Sequence, residues 1–151
     1  MFRGINLLQL DGKGRFAMPT RYRSQLQAPN GNQLILTIDT EEHCLLLYPL
    51  VEWEIIEQKI QALPSFHKVS RRIQRLLIGH ATELELDSNG RLLVPPLLRE
   101  YAGMDKQILL VGQGKKFELW SESGWHNRRD QWLSGEGTEE PLPPELESFS
   151  L

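Results

Sequence analysis

An aspartate stands four residues before an arginine at two places in this chain. Asp11 precedes Arg15, and Asp87 precedes Arg91, with a glycine directly before each arginine. The planar guanidinium of arginine can pair with a phosphate, or with the O6 and N7 atoms of guanine in a duplex. A carboxylate at this spacing can hold the guanidinium in place across a tight turn. The alternative is a local ion pair worth about 0–1 kcal/mol with no ligand, and the residues alone leave both interpretations open.

The two aspartate–arginine pairs belong to a longer repeat. Residues 8–23 and 84–99 align without gaps and are identical at seven of sixteen positions. Such a repeat indicates one structural unit used twice. The shared leucines, glycines and prolines predict a common scaffold, and the shared charges are the candidates for function. A second shared arginine, Arg23 and Arg99, is interpreted as a charge on a helix surface or as a structural partner.

The repeat predicts a strand, a turn, a strand and a short helix in each copy. Glycines within residues 11–14 and 87–90 supply the positive φ of tight turns. Pro19 and Pro95 stand where short helices begin. Each copy then continues into a hairpin and a further helix. The predicted strands are 5–10, 15–18, 33–38, 44–48, 83–86, 91–94, 108–111 and 117–120, and the predicted helices are 19–26, 54–63, 68–81, 95–101 and 127–133.

Pairing two such halves would cover the apolar face and the open edges of each. Both turns are then expected on one side of the molecule, with Arg15 and Arg91 as matched donors across an approximate twofold axis. The predicted organisation is a first unit over 5–52, a helical connector over 53–80, a second unit over 81–124, a C-terminal helix over 125–134 and a mobile acidic tail over 135–151.

Composition limits the class of protein. With 151 residues and a single cysteine, the chain is too short for several large domains and has no disulfide framework of its own. No signal peptide and no run of about 18 apolar residues is visible, which predicts a cytoplasmic protein without a membrane span. Cys44 and His43 have no third ligand at a metal-site spacing, and the sequence suggests no nucleophilic catalytic set. We therefore expect no metal, no cofactor, no small-molecule substrate and no enzymatic activity.

The net charge of −3 hides an asymmetry along the chain. Residues 131–151 hold five glutamates and no Lys or Arg, so the remaining residues carry +2. Residues 1–23 carry +4, because Asp11 is their one acidic residue and five are basic: Arg3, Lys13, Arg15, Arg21 and Arg23. A locally basic patch on a near-neutral protein can bind phosphate, because counterion release depends on the local contacts.

The pattern L-D-x-x-G-R-Φ-x-Φ-P, in which Φ is apolar, fills residues 10–19 and 86–95. It resembles the SpoVT/AbrB-like swapped-hairpin DNA-binding domain. Two such units in one chain resemble the MraZ family, as do the opening M-F-R-G and the segments over 44–54 and 71–81. The resemblance covers residues 1–133. It implies an α+β fold in which two swapped-hairpin units form an intramolecular pseudo-twofold β-barrel with flanking short helices.

The same resemblance implies a bacterial transcriptional regulator, with repression as the expected direction. Proteins of the family assemble into ring-shaped oligomers and bind tandem G-rich repeats in the promoter of the division and cell-wall gene cluster, which includes their own gene. Double-stranded DNA and further copies of the chain are thus the implied partners, and the cytoplasmic nucleoid is the implied location. The family's D-x-x-x-R motif falls on both pairs, and the candidate DNA-binding residues are Arg15, Lys13, Arg3, Arg21 and Arg91, with Asp11 orienting Arg15 and Asp87 orienting Arg91.

Three further expectations concern assembly and the balance between the copies. Lys13 in the first turn corresponds to Asn89 in the second, so the first copy is expected to make most of the DNA contact. The helices over 54–63 and 68–81 are candidates for contacts between subunits, although their apolar stripes could equally be intramolecular core. The rival hypothesis is a structural or protein-assembly module with the same fold and no DNA contact.

Overall fold

The computed structural model describes residues 1–26, 33–135 and 140–151. Within these ranges the strands are β1 (Phe2–Gln9), β2 (Arg15–Ala17), β3 (Gln33–Ile38), β4 (Leu45–Pro49), β5 (Thr82–Glu85), β6 (Arg91–Leu93), β7 (Gln107–Gly114) and β8 (Phe117–Ser121). The helices are α1 (Thr20–Leu26), α2 (Leu50–Gln61), α3 (Lys68–Ile73), α4 (Pro96–Tyr101), α5 (Glu122–Leu133) and α6 (Pro144–Glu147). A π-helical turn, Gln74–Ile78, continues α3. Both copies therefore follow the predicted order of strand, turn, strand, short helix, hairpin and helix, and the mixed α+β class is confirmed.

Several predicted boundaries are displaced by local chemistry. α2 begins at Leu50 rather than at residue 54, because Pro49 precedes it with φ −56° and a helix start does not need the missing N–H. α5 begins at Glu122 rather than at residue 127, since the Ser121 side chain accepts a hydrogen bond from the Gly124 N–H and caps the helix. The helix predicted over 68–81 is α3 and its π-helical turn, which ends at Ile78.

The C-terminal tail is only partly described. Residues 136–139 of the predicted mobile segment lie outside the described residues. Residues 140–151 are exposed and contain the single-turn helix α6. No described helix is both long and apolar enough to cross a membrane.

The sheet topology exchanges strands between the two copies. Six strands are hydrogen-bonded in the order β1-β7-β8-β4-β3-β5, and β2 and β6 form a separate two-stranded sheet. β1 of the first copy pairs antiparallel with β7 of the second over its whole length, from Phe2 opposite Gly114 to Gln9 opposite Gln107. β5 of the second copy pairs with β3 of the first, and β4 and β8 join the copies in the middle. The predicted division into units stays a prediction, and these ladders run across it.

One core joins the two sheets. Phe16 and Leu92, from the two-stranded sheet, are 1% and 0% exposed and belong to the same buried cluster as Leu36 and Leu110 from the six-stranded sheet. Full burial of an apolar side chain of this size contributes roughly 1.5–3 kcal/mol, so this cluster is the main stabilisation of the fold. The described strands are organised as two sheets, and a closed barrel is not confirmed.

The helices contribute both core and exposed apolar surface. In α2, Trp53 and Ile60 are buried, whereas Val51 and Ile55 are 51% and 48% exposed. In α3, Val69 is 58% exposed, although Leu76 and Leu77 of the following turn pack against buried clusters. Part of each predicted stripe is thus intramolecular core, and part of it faces outward.

Candidate nucleic-acid interface

The two repeated arginines lie on the same face of the β2–β6 sheet. In this antiparallel ladder Phe16 stands opposite Leu92, Arg15 opposite Leu93 and Arg91 opposite Ala17. Side chains alternate between the two faces of a strand. Because Phe16 and Leu92 point into the core, Arg15 and Arg91 point away from it, on either side of the approximate twofold axis. The fold therefore brings both arginines to one side, as the repeat predicts.

The aspartate of each pair builds the turn that precedes its arginine. Oδ1 of Asp11 accepts hydrogen bonds from the backbone N–H groups of Lys13 and Arg15, both at 2.9 Å. Gly14 closes the turn with φ +85°, and its N–H donates to the carbonyl oxygen of Asp11 at 3.0 Å. Positive φ is the conformation that glycine adopts without steric cost. The sequence predicts only that Asp11 holds its arginine, and the D-x-x-G spacing is the signal for this second role in the turn.

The second turn repeats the first. Oδ1 of Asp87 accepts from the N–H groups of Asn89 at 2.8 Å and Arg91 at 2.9 Å. Gly90 has φ +72°, and its N–H donates to the Asp87 carbonyl oxygen at 2.9 Å. The two arginines therefore leave their turns in the same backbone geometry.

The guanidinium contacts, by contrast, are not symmetric. Arg15 Nε donates to Oδ2 of Asp11 at 2.8 Å, which is the predicted pairing. Arg91 Nη1 lies 3.7 Å from the same Oδ2 of Asp11. Within the described ranges Asp87 accepts hydrogen bonds from backbone N–H groups and forms no side-chain ion pair with Arg91, so its orienting role stays a prediction. The antiparallel pairing of β2 with β6 brings Arg91 near Asp11, so that one carboxylate lies close to both arginines.

The surroundings of Asp11 and Asp87 keep both carboxyl groups ionised. The backbone N–H of Arg15 is the main cause that lowers the pKa of Asp11 from its usual 3.8 to about 2, and the Arg15 side chain adds to it against partial desolvation. The backbone N–H of Arg91 likewise lowers the pKa of Asp87. Because its pKa is lower in the folded protein than in the unfolded chain, each ionised carboxylate stabilises the fold above pH 3.8. For Asp11 this stabilisation is lost only as the pH falls towards 2. Both carboxylates are ionised at physiological pH.

Donor groups remain for a ligand. The side chains of Arg15 and Arg91 are 32% and 37% exposed. Arg15 uses Nε for Asp11, and its two terminal nitrogens form no hydrogen bond with any described residue. Lys13 lies exposed in the same turn. The arrangement presents fixed, outward-facing guanidinium groups to an anion or to a base edge.

Two other predicted residues do not join this cluster. Arg3 stands near the start of β1, and about 3.3 Å per strand residue puts it roughly 20–25 Å from the first turn. Arg21 Nη2 donates to Oδ1 of Asn6 and to the hydroxyl of Tyr22, both at 2.7 Å. Its guanidinium also lies 4.6 Å from the centre of the Tyr22 ring. Arg21 is therefore tied to the middle of β1 rather than to the turn.

The cysteine has neighbours that sequence spacing does not reveal. Potential ligand atoms of Asp39, Cys44 and Glu118 all lie within 4.8 Å of one another. Sγ of Cys44 donates to Oδ2 of Asp39 at 3.7 Å, and Trp120 Nε1 donates to Oε1 of Glu118 at 2.9 Å. Burial, followed by the nearby carboxylates, raises the pKa of the Cys44 thiol, which stays protonated. These hydrogen bonds explain why the three side chains lie together, and the cluster is interpreted as part of the packing where β4 pairs with β8.

Comparison of the sequence with known proteins identifies its family. A sequence model of the family described as "MraZ protein, putative antitoxin-like" matches residues 1–76 and again residues 77–140. A protein of Coxiella burnetii named "Transcriptional regulator MraZ" is 58% identical over 152 residues, which cover 100% of both chains. Proteins with the same name from Legionella pneumophila and Halorhodospira halophila are 55% and 53% identical over the same full length. The family model matches the chain twice, in agreement with the internal sequence repeat. The chain belongs to the MraZ family.

Proposed function

We propose that this protein is a sequence-specific DNA-binding transcriptional regulator whose DNA contacts centre on Arg15 and Arg91. The observation that carries the proposal is the presence of both guanidinium groups on the outward face of one two-stranded sheet. The relatives are named as transcriptional regulators, and the family is not one of enzymes. This agrees with a site that offers hydrogen-bond donors to a ligand.

The shape of the site suits the major groove. That groove admits a two-stranded β-ribbon, and its guanine edges accept two hydrogen bonds from one arginine. The β2–β6 ribbon carries its two arginines in diagonal positions, which in an antiparallel pair are about 7–8 Å apart. In the proposed complex Arg15 and Arg91 contact base edges, and Lys13 pairs with the phosphate backbone.

The first copy is proposed to make the stronger contact. Its turn carries Lys13 where the second turn has Asn89, and its arginine is held by a side-chain hydrogen bond to Asp11. Arg3 and Arg21 add positive charge elsewhere on the first copy and are not placed in the proposed contact. Their role is to strengthen the local potential that attracts DNA.

Assembly compensates for the small number of contacts in each subunit. A chain with a net charge of −3 and one basic turn binds a single site weakly. Several subunits in a ring gain by effective concentration when each meets one repeat of a tandem operator. We propose such a ring on G-rich repeats of the promoter that controls its own gene and the division and cell-wall cluster, in the cytoplasm at the nucleoid. Outward-facing Val51, Ile55 and Val69 support subunit contacts through α2 and α3.

The barrel belongs to the same proposal. The β2–β6 sheet shares one buried cluster with the six-stranded sheet, which supports a barrel-like enclosure around the twofold axis. Such an enclosure keeps the ribbon rigid, so that the arginines need no ordering when they meet DNA.

Salt dependence tests the proposed function. We expect tight binding to a fluorescent promoter fragment with tandem repeats, and weaker binding to a random fragment of equal length. If a ring neutralises six or more phosphates, the affinity falls by roughly 1,000-fold or more between 50 and 200 mM salt. Fluorescence anisotropy over that range measures the slope.

Two results would decide against the proposal. Equal affinity for the two fragments would remove sequence specificity. An intact oligomer that binds neither fragment at 50 mM salt would favour the rival assembly module.

A further inference from the structure

We propose that Arg99 and Arg23 are positioning residues, each of which braces the arginine-bearing turn of the other copy. The inference deepens the proposed function and rests on it. Arg99 lies in α4 of the second copy, and its guanidinium fills the space beside Gly14 in the first turn. Arg23 lies in α1 of the first copy, and its guanidinium fills the space beside Gly90.

The glycines show how close this packing is. A Cβ added to Gly14 would lie 2.6 Å from Cζ of Arg99, and one added to Gly90 would lie 2.4 Å from Cζ of Arg23. Real Cβ atoms do not approach other heavy atoms so closely. Each turn needs glycine for its positive φ, and any larger residue there would also displace the guanidinium that lies against it. A planar guanidinium fits this narrow space, which an ammonium group does not fill in the same way.

Backbone hydrogen bonds also connect each turn to the other copy. The Val94 N–H donates to the Gly14 carbonyl oxygen, and the Met18 N–H donates to the Gly90 carbonyl oxygen, both at 2.9 Å. Each turn is thus fixed to the strand end of the other copy and packed against that copy's helix. Because Gly14 directly precedes Arg15, the position of the Arg99 brace determines where the Arg15 guanidinium points.

The two braces differ in one hydrogen bond. Arg23 Nε donates to the carbonyl oxygen of Met18 at 2.7 Å. Arg99 Nε is buried and has no hydrogen-bond partner among the described residues. A lysine at position 99 keeps the charge and removes this unpaired donor without breaking a hydrogen bond. Arg99→Lys therefore isolates the loss of the planar brace, whereas Arg23→Lys also loses a bond.

A positioning role and a direct phosphate contact give different binding data. A residue that pairs with phosphate weakens binding to all sequences and lowers the salt slope by about 1 when it is removed. A residue that positions Arg15 affects the contact that reads the base and leaves the number of neutralised phosphates unchanged. The effect of Arg99→Lys must also depend on the presence of Arg15.

The test is a double-mutant cycle on the full-length oligomer. Wild type, Arg99→Lys, Arg15→Ala and the double variant are titrated on the tandem-repeat fragment and on a random fragment at low salt, where the weakened affinity of Arg15→Ala is still measurable by anisotropy. We expect Arg99→Lys to weaken binding to the repeat fragment by about 10-fold, within the range of one bidentate base contact, with little change on the random fragment or in the salt slope. In the Arg15→Ala background the same substitution is expected to have no further effect. Arg129→Lys, an exposed arginine change on α5, is the matched control and is expected to bind as wild type.

Three results would overturn the inference. In the first, Arg99→Lys binds the repeat fragment with wild-type affinity. In the second, Arg99→Lys loses affinity equally for both fragments and its salt slope is lower by about 1. In the third, the loss of affinity caused by Arg99→Lys adds fully to that caused by Arg15→Ala. If Arg99→Lys fails to fold, the cycle is repeated with Arg23→Lys and Arg91→Ala. A failure of the proposed function itself is recognised separately, because Arg15→Ala would then bind the repeat fragment as wild type.

Discussion

Replacing Arg15 by alanine is expected to abolish retardation of the tandem-repeat fragment while the oligomer stays intact. The substitution removes the guanidinium whose terminal nitrogens face outward, and one bidentate base contact contributes about 1–3 kcal/mol. In a ring the loss is repeated in every subunit that engages a repeat, so the overall affinity is expected to fall by roughly 100-fold or more. Gel retardation measures this loss, and size-exclusion chromatography checks the assembly.

The matched control for this prediction is Arg129→Ala. Arg129 is exposed on α5, and its ion pair joins it to the neighbouring Asp130 at 3.4 Å. The control removes the same charge at a distance from the β2–β6 sheet and is expected to retain binding. If Arg15→Ala and Arg129→Ala retard the fragment equally well, the role assigned to Arg15 is wrong.

Replacing Phe16 by alanine is expected to lower the free energy of unfolding strongly. Phe16 is 1% exposed and stands opposite Leu92 at the approximate twofold axis, where the two copies meet. Truncation of a buried phenylalanine costs about 3–5 kcal/mol, because apolar contacts are lost and a cavity remains. Since a protein of this kind is stable by about 5–15 kcal/mol in total, this is a large share. Urea denaturation at a fixed protomer concentration measures the free energy of unfolding.

Leu93→Ala is the control for the core prediction. Leu93 lies in β6 next to Leu92, but its side chain is 45% exposed on the outward face. Its truncation is expected to change the free energy of unfolding by about 0.5 kcal/mol or less. A loss below about 1 kcal/mol for Phe16→Ala would contradict the shared core between the two sheets.

Local signals allowed much of the fold to be predicted. The turns over 11–14 and 87–90 form as expected, because aspartate and glycine encode them within a few residues. The proline-led short helices and the two hairpins follow from equally local patterns. Helix ends were less well predicted, since the cap of Ser121 and the π-helical turn after α3 depend on contacts that periodicity does not record.

The long-range contacts could not be derived from the residues alone. The pairing of β1 with β7 is not among the sequence predictions, because hydrophobic patterns do not specify which edges pair. The contact of Asp11 with both arginines and the packing of Arg99 against Gly14 arise from the pairing of the copies. Glu118 likewise reaches Cys44 only through the β4–β8 ladder.

Amide hydrogen exchange of the full-length protein, with and without the tandem-repeat fragment, tests the central claim most directly. The proposed interface predicts slower exchange on DNA binding in peptides that cover residues 10–18 and 86–94, with the larger effect in the first, and no change in peptides from α2. Protection confined to α2 and α3, with both arginine-bearing turns unchanged, would contradict the account.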